Sequence, residues 1–590
     1  MKSNQERIQS ILTKVDNYKL RQKRRNRVIL SSILGVFLFV GFGMLGIKTD
    51  IVSDIIYHDN LPRFESEEQL LAMLKTNNEY RTQELFGNVV FNGAIMEDLA
   101  ESSTALKSEA NKEMELSDNS FSKTNTQVQG VDESDIVKTN GDYIYYLSNN
   151  ILRVFETRTA DTKLIKEIEL KGSGYTYASE LYINDEYIVV IASSRIAKEQ
   201  PVVQEKQRLM IDYIMPYYGE NSTKALIYDI NTYELKREIE IDGNYVSSRK
   251  VDNNFYIVTN KYINTYRELA HEDVVPLYKD TAVNEEYEEI AVTDIRYFPD
   301  FDKKDCSYML ISSFNLDKID NEVDIYTCLG AGNEIYASRE SLYVTRANYE
   351  DEKYTTAIHK FEIKNGKVGY KATGSVPGTL LNQFSMDEYD GYFRITTTQG
   401  NTWDDSSVYN LYVLDDSLDT VGTLEGLAKG EKIYSTRFMG EKCYIVTYKT
   451  VDPLFVIDLS NPENPTVLGE LKIPGYSSYL HPLGENYLIG FGEDSIEKSY
   501  LNWKGETEVT AYATGLKMAI FDVTDYNNPK ELHSIKIGAR GSYSELLYNH
   551  KSLLFDEEKV IIAFQAKLTE NAGFMITEYQ DTEKQSLMVH

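Results

Sequence analysis

The chain has 590 residues and a formal net charge of −30 that is unevenly spread. Residues 1–27 hold nine Lys or Arg against two Asp or Glu, a net of +7, which leaves −37 on everything that follows. A surface that acidic repels nucleic acid and anionic lipid while attracting cations, basic peptides or amines, or it simply keeps a domain solvated; with only Cys306, Cys328 and Cys443 available, no disulfide framework holds the chain together.

In chain order, Arg21, Lys23, Arg24, Arg25 and Arg27 precede Val28–Ile47, a run of 20 residues without a charge. Such a run is long enough to cross a bilayer as a helix at about 1.5 Å per residue. The positive flank places residues 1–27 in the cytoplasm and everything after Lys48 outside. A cleaved signal peptide is the competing reading, but its apolar region is about 7 to 15 residues with an Ala-x-Ala type site. This run is longer and continues into Gly-Ile-Lys-Thr-Asp, so an uncleaved anchor is expected. Ser66-Glu67-Glu68-Gln69 has the spacing of a capping box and predicts a short helix over Glu67–Thr76, with Leu70, Leu71 and Leu74 as its apolar face. From Gln83 to Lys123 no sustained period survives, which predicts a linker with one weak helix near Ala94–Ala110.

From Asp135 onward the pattern changes to groups of four short strands. The composition agrees, with 45 Tyr and 34 Gly against 12 Pro, and Tyr143, Tyr145 and Tyr146 sit beside Ile and Val as pleated strands favour. The first group is DIVKT, YIYYLS, ILRVFE and KLIKEIEL. The second runs over Ala178–Asp242, and the third over Tyr245–Leu329 with an acidic insertion at Val283–Ile290. Ile335–Val376, Gln383–Gly426 and Ile433–Ile473 follow; Ser478–Ile537 carries an insertion near Glu493–Ala513, and Ser544–His590 is the last. Tyr245–Thr259, Tyr336–Thr345 and Tyr434–Thr447 share a Tyr, a Ser or Thr, an Arg, a turn and a closing Val-Thr, which is an internal repeat. VIDLSNPENP and IFDVTDYNNP each place an Asp at the end of a third strand before a Pro-terminated turn. Each unit has apolar faces that only a neighbour can cover, so the units should stack radially. The expected fold is all-β, a β-propeller of eight four-stranded blades, with seven as the alternative count. The expected domains are a basic tail (1–27), a transmembrane helix (28–47), a helix and linker (48–123) and the propeller (124–590).

Several longer stretches carry a resemblance. GVDESDIVKTNGDYIY, DGNYVSSRK, YFP at Tyr297–Pro299 and GSVPGTLLNQFSMDEYDGYFRITTT lie in the first part of the propeller. VDPLFVIDL, LKIPGYSSYLHPLG and GSYSELLYNHKSLLF continue it. Together they resemble a bacterial family of secreted or membrane-anchored β-propeller proteins distantly related to the WD-repeat group. The resemblance implies an extracytoplasmic propeller and no defined substrate. Chains of that family often continue with a further strand pair, from an Ile-x-Arg to a Leu-Tyr-Thr run, whereas this sequence stops at His590, so how the ring closes stays open.

If the first strand of each blade lines a central channel, Asp135, Arg249, Arg339, Asp387, Glu388, Arg437, His481 and His550 converge there from different blades. Guanidinium forks suit a carboxylate or phosphate, and the two His suit a proton or a metal; a ring of mutually satisfied structural pairs is the competing reading. Asp132, Glu133 and Asp135 beside Gly130 are weak candidates for a divalent cation, without the spacing of a calcium loop. Glu285-Glu286-Tyr287-Glu288-Glu289 and Trp403-Asp404-Asp405 read as solvent-facing loops. There is no G-x-S-x-G elbow, H-E-x-x-H helix, phosphate loop or zinc spacing, and no cofactor is predicted. The sequence therefore reads as a membrane-anchored extracytoplasmic platform for a protein, peptide or cell-envelope ligand, not for nucleic acid. An extracytoplasmic hydrolase or lyase with Arg249, Arg437, His481 and His550 around the channel is the alternative.

Overall fold

Short, strongly β-forming runs separated by tight turns produce a meander. The computed structural model describes residues 61–75 and 124–569, apart from 159–160, 171–175, 197–220, 264–268, 299–305, 351–352, 402–403, 449–451, 502–506, 558 and 560. The basic tail, the apolar run and most of the linker lie outside those residues; among the described residues no helix is long and apolar enough to cross a membrane. Blade 1 is Val137–Thr139, Tyr143–Ser148, Ile151–Glu156 and Lys163–Glu169, antiparallel throughout. Its central hairpin turns at Asn149-Asn150, both with positive φ (53° and 59°). Asn365-Gly366 and Asp390-Gly391 make the same turn in blades 4 and 5. These pairs tolerate the two left-handed residues that a strand-matching two-residue turn requires.

Blades 4 to 7 repeat the four-strand meander, opening on Glu334–Ala337, Met386–Tyr389, Lys432–Met439 and Tyr476–Leu483. Blade 8 contributes Leu553–Asp556 and Ile561–Phe564 among the described residues. Eight sheets thus follow one another along the chain, in the expected order.

Blades 2 and 3 depart from the expectation. The insertion assigned to blade 3 does not decorate that blade. Leu277–Asp280, just ahead of it, pairs with Leu235–Asp242, the outer strand of blade 2, and Glu288–Glu289 within it pairs with Leu277–Asp280 in turn, so blade 2 becomes six-stranded. Ile295–Tyr297 then returns as a parallel outer strand of blade 3. The acidic run is not simply a solvent loop either: Tyr287 donates to Glu240 at 2.7 Å, and Glu288 accepts from Tyr278 at 2.9 Å. Residues 61–75 dock on the same two blades. Phe64 N donates to Ile295 O (3.1 Å), and Leu70 and Leu74 are fully buried in the core between blades 2 and 3. The predicted cap forms with a shift of one residue: Ser66 Oγ accepts from Gln69 N (3.4 Å), while Gln69 reaches back to the amide of Glu65 (2.8 Å).

Among the described residues the apolar clusters all lie between consecutive blades. Tyr336, Tyr343 and Ile358 of blade 4 pack on Met386, Phe393 and Ile395 of blade 5. Tyr444 and Val456 of blade 6 pack on Leu480 and Phe521 of blade 7. Blade-to-blade approach is set by outer-strand glycines that leave room for the next blade's turn. A Cβ at Gly422 would lie 2.0 Å from Pro462 O, and one at Gly469 would lie 2.6 Å from Tyr526 O. The terminal Asp residues behave as predicted, with Asp458 and Asp522 accepting from the amides of Ser460 and Thr524 (3.1 and 2.9 Å). Cys306, Cys328 and Cys443 are buried thiols.

The weld between blades 2 and 3 is electrostatic as well as apolar. Arg237 grips Asp280 through two bonds of 2.8 and 2.6 Å, with both side chains 1% exposed. Asp280 also accepts from Val323 N at 2.9 Å, and Arg237 donates to the carbonyls of Ile319 and Asn321 at 2.8 Å. Removing one partner strands the other charge out of water. Asp280→Ala is therefore expected to lower stability by about 3–5 kcal/mol, read as a reduced urea midpoint for the full chain in detergent.

Candidate functional site

The segment Thr124–Asp135, which links the N-terminal part to blade 1, does not run around the rim. Its side chains reach the innermost strand or inner turn of one blade after another. Asn125 donates to Tyr479 Oη of blade 7 (2.8 Å) and to His550 O of blade 8 (2.9 Å). Gln127 donates to Gln383 O and Met386 O of blade 5, both at 3.0 Å. Val128 packs between blades 3, 4 and 5. Val131–Asp132 then adds a short strand to the inner edge of blade 3, with Val131 opposite Val251. Ser134 donates to Glu180 of blade 2 (2.7 Å), and Asp135 bridges to Leu181 before blade 1 begins. The segment is a strap through the centre of the propeller. Lys551 of blade 8 closes onto it, donating to Ser134 O (2.9 Å) and Glu180 (2.7 Å).

Glu133 is the middle of this strap and is buried. Its carboxylate accepts from Gln127 N (2.9 Å) and Gln383 Nε2 (3.2 Å). His550 Nε2 lies 3.2 Å from it, out of line for a hydrogen bond. Arg249 stands beside it, donating to Gln383 Oε1 (2.9 Å), Ser247 Oγ (2.8 Å) and Ser248 O (2.7 Å). Burial by itself would raise the Glu133 pKa, but Arg249, His550 and the Gln127 amide outweigh it and hold the carboxyl well below its usual value. A carboxylate so stabilised and so fully occupied is a poor general base; it acts as a charge anchor.

The sequence candidates divide accordingly. Arg249, Arg437, His481 and His550 are brought together around the strap. Arg339 meets the strap elsewhere: the repeat is shortened in blade 4, the inner strand ends at Ala337, and Arg339 falls in the following turn, 61% exposed, against Gly130 and 3.4 Å from Asp252. Asp387 is taken by Arg394 of its own blade, directly opposite in register, which also reaches Gly440 O of blade 6. Glu388 faces blade 4, 3.5 Å from Lys360. Asp387 and Glu388 belong to the walls between blades, because inner-strand residues alternate between the two faces. The acid trio is divided for the same reason. Asp132 faces Lys138 (2.8 Å) and Lys250 (3.4 Å), Glu133 faces inward, and Asp135 accepts from the amide of Ile136 (2.7 Å). Among the described residues no group of three or more His, Cys, Asp or Glu is placed to hold a metal ion.

Residues that sequence reasoning missed include Asn125, Gln127, Gln383, Phe384 and Tyr479. Their amide, aromatic and phenol groups carry no motif of their own; the one signal was their place within the longer stretches GVDESD, TLLNQF and YSSYLHP or just ahead of them. On the blade 6 and 7 side, Arg437 lies 5.2 Å over the ring of Phe384. Tyr479 Oη is 3.1 Å from His481 Nδ1. Burial, with Arg437 and His550 nearby, pushes the pKa of His481 down to about 4. A cleft of about 560 Å³ opens on the other side of the strap, lined by Gln129, Gly130, Asp132, Lys138, Lys250 and others.

A meander of radially stacked antiparallel sheets with its inner strands around a strap defines a β-propeller with an occupied centre. A family model described as a beta propeller domain matches residues 121–590, and the chain belongs to that family. It is 32% identical over 545 residues to an uncharacterized protein of Methanocaldococcus jannaschii, covering 81% of this chain and 79% of that protein. It is 28% identical over 523 residues to an uncharacterized protein of Archaeoglobus fulgidus, covering 76% of this chain and 75% of that one. Both are archaeal, so the resemblance is not confined to bacteria. Among solved structures, BamB from Moraxella catarrhalis is 10% identical with a TM-score of 0.22, covering 66% of this chain and 99% of that one.

Because the Glu133 pKa is lower in the folded than in the unfolded chain, its contribution to stability is complete above the ordinary value of 4.5 and is lost as pH falls through the folded value. Glu133→Gln is expected to destabilise the chain by about 3–5 kcal/mol at neutral pH, since Arg249 is left without its carboxylate. The gap between wild type and variant should close as melts are taken progressively below pH 4.5.

Proposed function

We propose that this chain is a membrane-anchored, extracytoplasmic propeller that serves as a binding or scaffolding platform at the cell surface. The observation that carries the platform reading is the strap. With residues 124–135 bonded to five blades, the ring is held rigid, as a platform that presents binding groups requires. Among the described residues, a long hairpin projects from blade 7. Its middle strands, Tyr487–Leu501 and Thr507–Asp522, are flanked by neighbouring strands only over 487–493 and 516–522. Over 494–501 and 507–515 its two strands pair only with each other, and the hairpin exposes Ile496 (47%) and Tyr500 (45%). The predicted insertion at Glu493–Ala513 coincides with it. The anchor rests on the uncharged run Val28–Ile47 and the basic residues before it.

Orientation is tested with cysteines added to a chain whose own three are buried. Tyr548 is 80% exposed, so in intact expressing cells a membrane-impermeant maleimide should label Tyr548→Cys, and it should label Ser3→Cys only after lysis. The reverse pattern would refute the anchor topology. Joining Glu497 to Ala511, which face one another in register, shortens the hairpin without touching the blade. The shortened chain is expected to keep its melting temperature and lose the surface proteins cross-linked to the full-length hairpin; an unchanged cross-linking pattern would remove the hairpin as the recognition element.

A further inference from the structure

Around the strap, most cations stand against a carboxylate. Arg249 and Glu133 share Gln383, Lys551 holds Glu180, Lys138 holds Asp132, and Arg394 holds Asp387. Arg437 breaks the pattern. Its Nε and Nη1 are buried without a hydrogen-bond partner, although the chain carries 92 acidic residues against 62 Lys and Arg. Buried guanidinium donors left unpaired lower stability. Packing on Phe384 accounts for the plane of the guanidinium, 5.2 Å from the ring, but not for its N–H groups.

The surroundings say what would satisfy it. His481, held to a pKa of about 4, is neutral near pH 7 and adds no charge. Tyr479 and Asn125 are neutral, bonded to one another at 2.8 Å. With Glu133 already matched by Arg249, one positive charge is left over. A single carboxylate cancels it and presents two in-plane acceptors to a planar fork, whereas a phosphate dianion would bring in a second charge with no counterpart. Arg437 is only partly buried as a residue, although its Nε and Nη1 are covered.

We propose that Arg437 anchors a binding site for one carboxylate group, borne by a small monocarboxylic acid or by a peptide C-terminus, with Phe384 as its wall and Tyr479 and His481 as its neutral polar neighbours. The inference rests on the platform reading and gives one of its binding faces a ligand chemistry.

The test is a thermal-melt titration of the full chain in detergent with acetate, benzoate, a tetrapeptide with a free or an amidated C-terminus, and inorganic phosphate. The expected result is a melting temperature that rises with carboxylate concentration. A response to the small acids alone identifies a free acid as the ligand, and a stronger response to the free peptide than to its amide identifies a C-terminus. Arg437→Gln should match or exceed the wild-type melting temperature without ligand and show no rise with it. Arg437→Lys, which keeps the charge and loses the fork, should bind about tenfold more weakly or worse. No response to any carboxylate, an equal response in Arg437→Gln, or a larger response to phosphate would overturn the proposal. If Arg437→Gln does not fold, undiminished binding by Arg437→Lys would overturn it instead. Should no acid bind while the shortened hairpin still loses its cross-linked proteins, the platform reading stands and this inference alone falls.

Discussion

A carboxylate in the middle of a propeller has to be surrounded by donors or it will not stay there, and Glu133 shows what that requirement organises. Its oxygens draw in the amide of Gln127 and the side chain of Gln383, and its charge holds Arg249 and His550 alongside. Those groups come from the strap and from blades 3, 5 and 8, so one desolvated charge fixes the relative position of elements far apart in sequence. The cost of burying it is offset because each partner is also bonded elsewhere: Arg249 to Ser247 and Ser248, Gln127 to Gln383 and Met386, and Asn125 of the same strap to His550. Such a network is worth more than its pairs taken singly, and it is vulnerable at every member.

Outside this centre the fold is modular. Blades 2 to 7 each bury one face against the blade before and one against the blade after, and the outer-strand glycines allow the next turn to sit almost on the backbone. The exception is the pair of blades 2 and 3. There a long insertion crosses back to the earlier blade and joins the two through the buried Arg237 and Asp280 pair, while the helix at residues 67–75 covers the same core. This double weld joins the outer strands of blades 2 and 3, while the strap pairs with the inner edge of blade 3, so that blade is held at both edges.

The two ends of recognition differ in kind. The blade 7 hairpin offers apolar and aromatic surface on a projecting arm, suited to a macromolecular partner. Arg437 offers a guanidinium whose Nε and Nη1 have no hydrogen-bond partner, suited to one small anionic group. A cation kept apart from so many carboxylates is a local exception to an overall field that repels anions.

Much of this was legible before any coordinates. Alternation of Tyr, Val and Ile with polar residues, Asn-Asn, Asn-Gly and Asp-Gly turns, and a recurring Tyr-Ser-Arg strand are local signals, and local signals specify strands, hairpins and the count of units. Arg249 and Arg437 were found because the repeat places each inside an eight-residue inner strand; Arg339 misled because one shortened unit moves the same letter into a turn. What the sequence could not reveal is pairing across long separations. That Glu133 meets Gln383 and His550, or that Leu277–Asp280 joins the blade before its own, depends on which faces lie opposite once the ring is assembled. Whether a buried charge is matched or left over is therefore decided by tertiary structure alone, because it is a property of the neighbours and not of the residue.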